Sequence, residues 1–129
     1  MEKKENPISK LTFEFSVQTV LYCESLEEKR KYVIANQLLK SGTSIGANCK
    51  EAQNAESKAD FIHKIKIALK ELEETEYWLE ICKQIDSYPD CDFLISKLSE
   101  IRKVLTKILS TSKINLIKPS LAPAAAALP

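Results

Sequence analysis

The chain has 129 residues, 44% of them hydrophobic and 29% charged, with a formal net charge of +1. That length corresponds to one domain with enough apolar material for a core. The charge excludes a global electrostatic pull toward nucleic acid or anionic membranes, and two glycines with 7% aromatic residues exclude a turn-rich β-sandwich.

The N-terminal MEKKENPISK lacks the apolar run of a signal peptide, and no stretch approaches the length of a membrane span. A cytoplasmic protein without a membrane partner is expected. Cys23, Cys49, Cys82 and Cys91 show no CxxC spacing, the pattern of reduced thiols rather than a disulfide framework.

Hydrophobic periodicity predicts four helices over roughly 7–26, 31–53, 57–86 and 90–112, inside one domain spanning 1–118. In the first, Pro7 suits a first-turn position and Ile8, Leu11, Phe15, Leu21 and Tyr22 recur near helical spacing. The charged run Glu27-Glu28-Lys29-Arg30 carries the turn that follows.

The second helix contains both glycines, in Ser41-Gly42-Thr43-Ser44-Ile45-Gly46-Ala47-Asn48. Ile34, Leu38, Ser41, Ile45, Asn48, Cys49 and Ala52 keep a three-or-four step straight through it, which a loop would interrupt. A phosphate-binding loop requires lysine after its second glycine, and Ala47 stands there with no strand before it. Two interior glycines cost about 2 kcal/mol of helicity between them. Gly42 and Gly46 lie on one face, so close approach of a second backbone is the expected compensation.

In the third helix Ser57 is the expected N-cap, with Asp60 completing a capping-box variant. Phe61, Ile65, Ala68, Leu72, Thr75, Leu79 and Cys82 form its apolar stripe, widened by Ile62, Leu69 and Trp78. Ser87-Tyr88-Pro89-Asp90 breaks it. The fourth helix carries Leu94, Leu98, Ile101, Leu105 and Ile108, and weakens beyond Ser112. The stretch 119–129 is low-complexity and has the composition of an appended tail. Short links between long amphipathic helices predict an all-α, antiparallel up-down-up-down four-helix bundle.

Catalytic and metal chemistry find little support. Cys23, Cys82 and Cys91 are expected at one end of the bundle, with Cys49 and His63 at the other, so four thiols cannot converge on zinc. Core cysteines are the better reading. A di-iron site needs Glu-x-x-His pairs, and His63, the single histidine, follows Asp60 instead. Nothing supplies an oxyanion hole for Cys49 and His63. No enzyme and no cofactor are expected.

Two surface patterns remain. Gln37, Ser41, Ser44, Asn48 and Glu51 form a polar stripe on the second helix. It suits either an internal hydrogen-bond network, the preferred reading for Asn48, or a subunit interface. Glu71, Glu73, Glu74, Glu76 and Glu80 make the third helix acidic, while Lys97, Arg102, Lys103, Lys107 and Lys113 make the fourth basic. Arg102, Lys103 and Lys107 are candidate phosphate contacts. No aromatic residues interleave them to stack on bases, so a basic helix facing its own acidic neighbour is preferred over nucleic acid.

Residues 37–82, QLLKSGTSIGANCKEAQNAESKADFIHKIKIALKELEETEYWLEIC, resemble a bacterial family of four-helix-bundle proteins. Its founding members are encoded in intervening sequences of large-subunit ribosomal RNA genes. The matches are Gln37-Leu38, Ser44-Ile45, Asn48, Glu51, Phe61 and the Leu72–Leu79 stretch with Glu-Thr-x-Tyr-Trp-Leu. The resemblance implies a small non-enzymatic bundle that assembles as a homopentamer. It implies no settled activity. A related class, the accessory variability proteins of diversity-generating retroelements, partners a reverse transcriptase and nucleic acid through a strongly basic surface. With 19 basic and 18 acidic residues this chain departs from that class. It departs again at Ala52, where many relatives have glycine, so the connection to the third helix is expected to begin near Asn54. The resulting expectation is a self-associating interaction module in which Gly42 and Gly46 allow close helix contact and Ser44, Asn48 and Gln37 set register.

Overall fold

The computed structural model describes residues 6–117, and the low-complexity stretch 119–129 lies outside the described residues. Four helices follow one another: α1 (Pro7–Glu28), α2 (Tyr32–Gln53), α3 (Lys58–Gln84) and α4 (Asp92–Ile117). Each packs against its chain neighbour, and α1 also meets α4, which closes an antiparallel four-helix bundle.

Local chemistry sets the helix ends. Asn6 accepts the Ile8 amide at 3.0 Å and Pro7 occupies the first turn, so α1 begins where its first orphan donors find an acceptor. It ends in a Schellman turn, the Lys31 amide donating to Leu26 O at 2.8 Å and the Arg30 amide to Glu27 O at 2.9 Å. Arg30 holds φ 63° there, a left-handed position that glycine usually fills. Ser57 caps α3 by accepting the Asp60 amide at 3.0 Å. The third and fourth helices start one or two residues later than the periodicity indicates, and α4 runs past Ser112 to Ile117.

The core is aliphatic and continuous. Leu26, Leu38, Ile45, Leu72, Leu79, Ile101 and Leu105 are completely buried, with Phe15, Phe61 and Leu98 beside them. All seven residues of the expected α3 stripe are inside. In α1 the structure corrects the sequence reading. Leu21 is 53% exposed, and the buried positions are Ile8, Thr12, Phe15, Thr19, Cys23 and Leu26. Two threonines therefore take the place of a leucine in the core.

Candidate functional site

Thr12 and Thr19 can be buried because a helical threonine satisfies its hydroxyl on the preceding turn. Thr12 Oγ1 donates to Ile8 O and Thr19 Oγ1 to Phe15 O, each at 2.8 Å. With the hydroxyls satisfied on the backbone, the threonines present a narrow surface to α2. Gly42 and Gly46 stand opposite them. A Cβ on Gly42 would lie 2.7 Å from Thr19 Cγ2, and one on Gly46 would lie 3.2 Å from the Thr12 carbonyl oxygen. Both glycines sit within α2 without left-handed φ angles. Their missing side chains are replaced by α1 of the same chain.

The polar stripe of α2 divides into three environments. Ser41 is buried and accepts a hydrogen bond from Thr75 Oγ1 of α3 at 2.9 Å. Ser44 and Asn48 bond to their own helix instead: Ser44 Oγ donates to Lys40 O at 2.6 Å and Asn48 Nδ2 to Ser44 O at 2.8 Å. Register between α2 and α3 is thus tied through Ser41 and Thr75, not through Asn48, because Asn48 is only half-buried and reaches its own backbone first. Gln37 is exposed, and Glu51 pairs with Lys64 of α3 at 3.1 Å.

The basic face of α4 is partly neutralised within the chain. Arg102 bridges Glu73 and Glu76 of α3, the latter at 2.7 Å. Burial alone would lower the Arg102 pKa, but the hydrogen bonds to the two carboxylates outweigh it and hold the guanidinium charged. Lys103 and Lys107 stay exposed and, with Arg102, Thr106, Ser110 and Thr111, border a shallow surface depression.

The four cysteines are free and buried. Burial pushes the Cys23 and Cys49 thiols from 9.0 to about 12 and Cys91 to about 11, and it raises Cys82 as well. Tyr22 shares the end that holds Cys82 and Cys91, and its hydroxyl donates to Pro89 O at 2.8 Å. Neutral thiols in an apolar setting are poor nucleophiles and poor metal ligands. No group of three or more His, Cys, Asp or Glu side chains among the described residues is placed to hold a metal ion.

One feature was missed by sequence reasoning. The outward side of α1 carries Phe13, 67% exposed, with Val17, Val20 and Leu21 at helical steps behind it. Phe13 also forms one wall of an open groove of about 460 Å³ between α1 and α2, floored by Thr12 and Gly46. The signal was available: α1 is apolar on two sides, and only one of them can face the core.

No helix among the described residues is long and apolar enough to cross a membrane. The family profile described as 23S rRNA-intervening sequence protein matches residues 4–107. A solved structure similar to this chain is a protein of unknown function from the S23 ribosomal protein family of Bacteroides thetaiotaomicron VPI-5482. It is 42% identical, with a TM-score of 0.74 over 79% of this chain and 97% of that one. No curated protein matches the chain.

Proposed function

The chain belongs to the 23S rRNA-intervening sequence protein family, and from that premise we propose a non-enzymatic cytoplasmic module that works by assembling with copies of itself as a scaffold. The observation that carries the reading is the uncovered apolar face of α1, where Phe13, Val17, Val20 and Leu21 are between 38% and 67% exposed. Monomeric soluble proteins seldom leave such a contiguous stripe in water, and its usual explanation is a protein contact. The family resemblance points to five copies. Buried, neutral thiols support a reducing compartment.

Sedimentation or light scattering at micromolar concentration is expected to give a mass several times 14.6 kDa, near that of a pentamer. Val17→Glu, on the exposed face, is expected to lower that mass while helix content stays unchanged. A wild-type monomer would overturn the reading.

A second reading, an accessory protein for RNA or DNA, is favoured by one observation: the depression on α4 where Lys103 and Lys107 stand among the hydroxyls of Thr106, Ser110 and Thr111. Arg102 contributes less there, being held by Glu73 and Glu76. Replacing Arg102, Lys103 and Lys107 with Gln and titrating RNA binding against salt tests it. Binding that is absent at the start, or unchanged in the variant, removes it.

A further inference from the structure

On the α1/α2 side of the bundle two helix faces of opposite character lie next to each other, and no described residue covers either. The α1 face is bulky and apolar, with Glu14 and Glu24 exposed at its margins. The α2 face carries exposed Tyr32 and Val33 at its start and narrows after them: Lys40, Thr43, Ala47 and Lys50 recur at helical steps, so only small side chains separate its two lysines. Glu14 and Glu24 are about 15 Å apart along the axis of α1, and Lys40 and Lys50 are separated by the same rise along α2. None of these four groups takes part in an ion pair among the described residues.

We infer that the outer face of α1 in one copy docks antiparallel on the Lys40–Lys50 stripe of α2 in the next copy. This rests on the self-association reading above and assigns the surface that performs it. The second copy is the matching occupant because the acidic margins on one face and the basic margins on the other have equal spacing and opposite sign. Direction follows from symmetry. For a ring whose axis runs along the bundle, every α1 points the same way and α2 runs opposite to it, so the docked pair is antiparallel. In that register Glu14 meets Lys50 and Glu24 meets Lys40. Val17 and Leu21 rest on Ala47 and Thr43, where short side chains let two helices approach closely. The contact joins two different patches, so it propagates into a closed ring if the rotation closes.

Charge reversal tests the pairing. Glu14→Lys with Glu24→Lys, and separately Lys40→Glu with Lys50→Glu, are each expected to weaken association at least tenfold in sedimentation equilibrium. Combining all four substitutions is expected to restore the wild-type mass. All four sites are exposed, and circular dichroism checks that each variant keeps its helix content. A wild-type monomer would overturn both this inference and the reading beneath it. An assembled wild type whose mass survives either double reversal overturns the assigned surface alone. Doubles that dissociate without rescue in the quadruple variant overturn the pairing.

Discussion

Where α1 meets α2, side chains are missing: a methyl on Gly42 would clash with Thr19, and one on Gly46 would press on the Thr12 carbonyl. Where α3 meets α4, long side chains reach across the outside instead, Arg102 of α4 to Glu73 and Glu76 of α3. The first seam is held by shape, closed at Gly42 and Thr19 and opening into the groove at Gly46, and volume added at its closed end must displace a neighbour. The second is held in part by charges near water, where both partners can be solvated when the contact is lost. One protein thus contains a seam that is sensitive to a single carbon atom and a seam that tolerates replacement of a whole side chain.

The largest expected effect is on the glycine seam. Gly42→Val is expected to destabilise the bundle by about 3 kcal/mol in urea denaturation, through overpacking against buried Thr19. Gly42→Ala is the finer probe. Its Cβ would sit 2.7 Å from Thr19 Cγ2, and Thr19→Ser removes that methyl. The double-mutant cycle is expected to show a favourable coupling of about 1–2 kcal/mol, because the alanine then contributes its helix propensity without the clash. Simple additivity of the two changes would break the account of this seam.

An intermediate effect is expected from alkaline pH. Cys49 lies on α2 beside Thr12, and burial pushes its pKa from 9.0 to about 12. The folded state therefore keeps a proton that the unfolded chain releases above pH 9. Its contribution to stability is complete below pH 9 and is lost as pH rises toward 12, by about 1.4 kcal/mol per pH unit. Cys49→Ala is expected to flatten the decline in urea midpoint between pH 9 and 11. An unchanged slope would show that this thiol titrates normally.

The smallest effect belongs to the charged seam. Arg102→Gln is expected to cost less than about 1 kcal/mol, and the difference from wild type should fade at high salt. A loss of several kcal/mol that persists in 1 M salt (the concentration at which screening extends over about 3 Å) would make the two seams alike.

These seams also separate what was legible in the sequence from what was not. The α3 stripe was readable because each of its buried positions is apolar or small and recurs with one period. The α1 stripe was misread at Leu21 because hydropathy ranks leucine above threonine. Thr12 and Thr19 reverse that order only because their hydroxyls bond to Ile8 O and Phe15 O. The glycines indicate a narrowed helix without indicating its neighbour, and the threonines are that neighbour. The polar stripe on α2 was recognised as a pattern, but Ser41 and Asn48 are equivalent in sequence terms and different in burial. The α1 surface carrying Phe13 and Val17 is not legible as a surface, because α1 is apolar on two sides and hydropathy does not say which of them faces inward.

Helix number, order and the Ser57 cap, together with the inward sides of α2 and α3, follow from the sequence by itself, since they depend on hydrophobic period and on hydrogen bonds between near neighbours in the chain. Which side of α1 faces the core, which hydroxyl of α2 ties it to α3 and which carboxylates receive Arg102 were decided only by the tertiary structure. Each of these depends on the distance to an atom on another helix, and that distance exists only once the helices have packed.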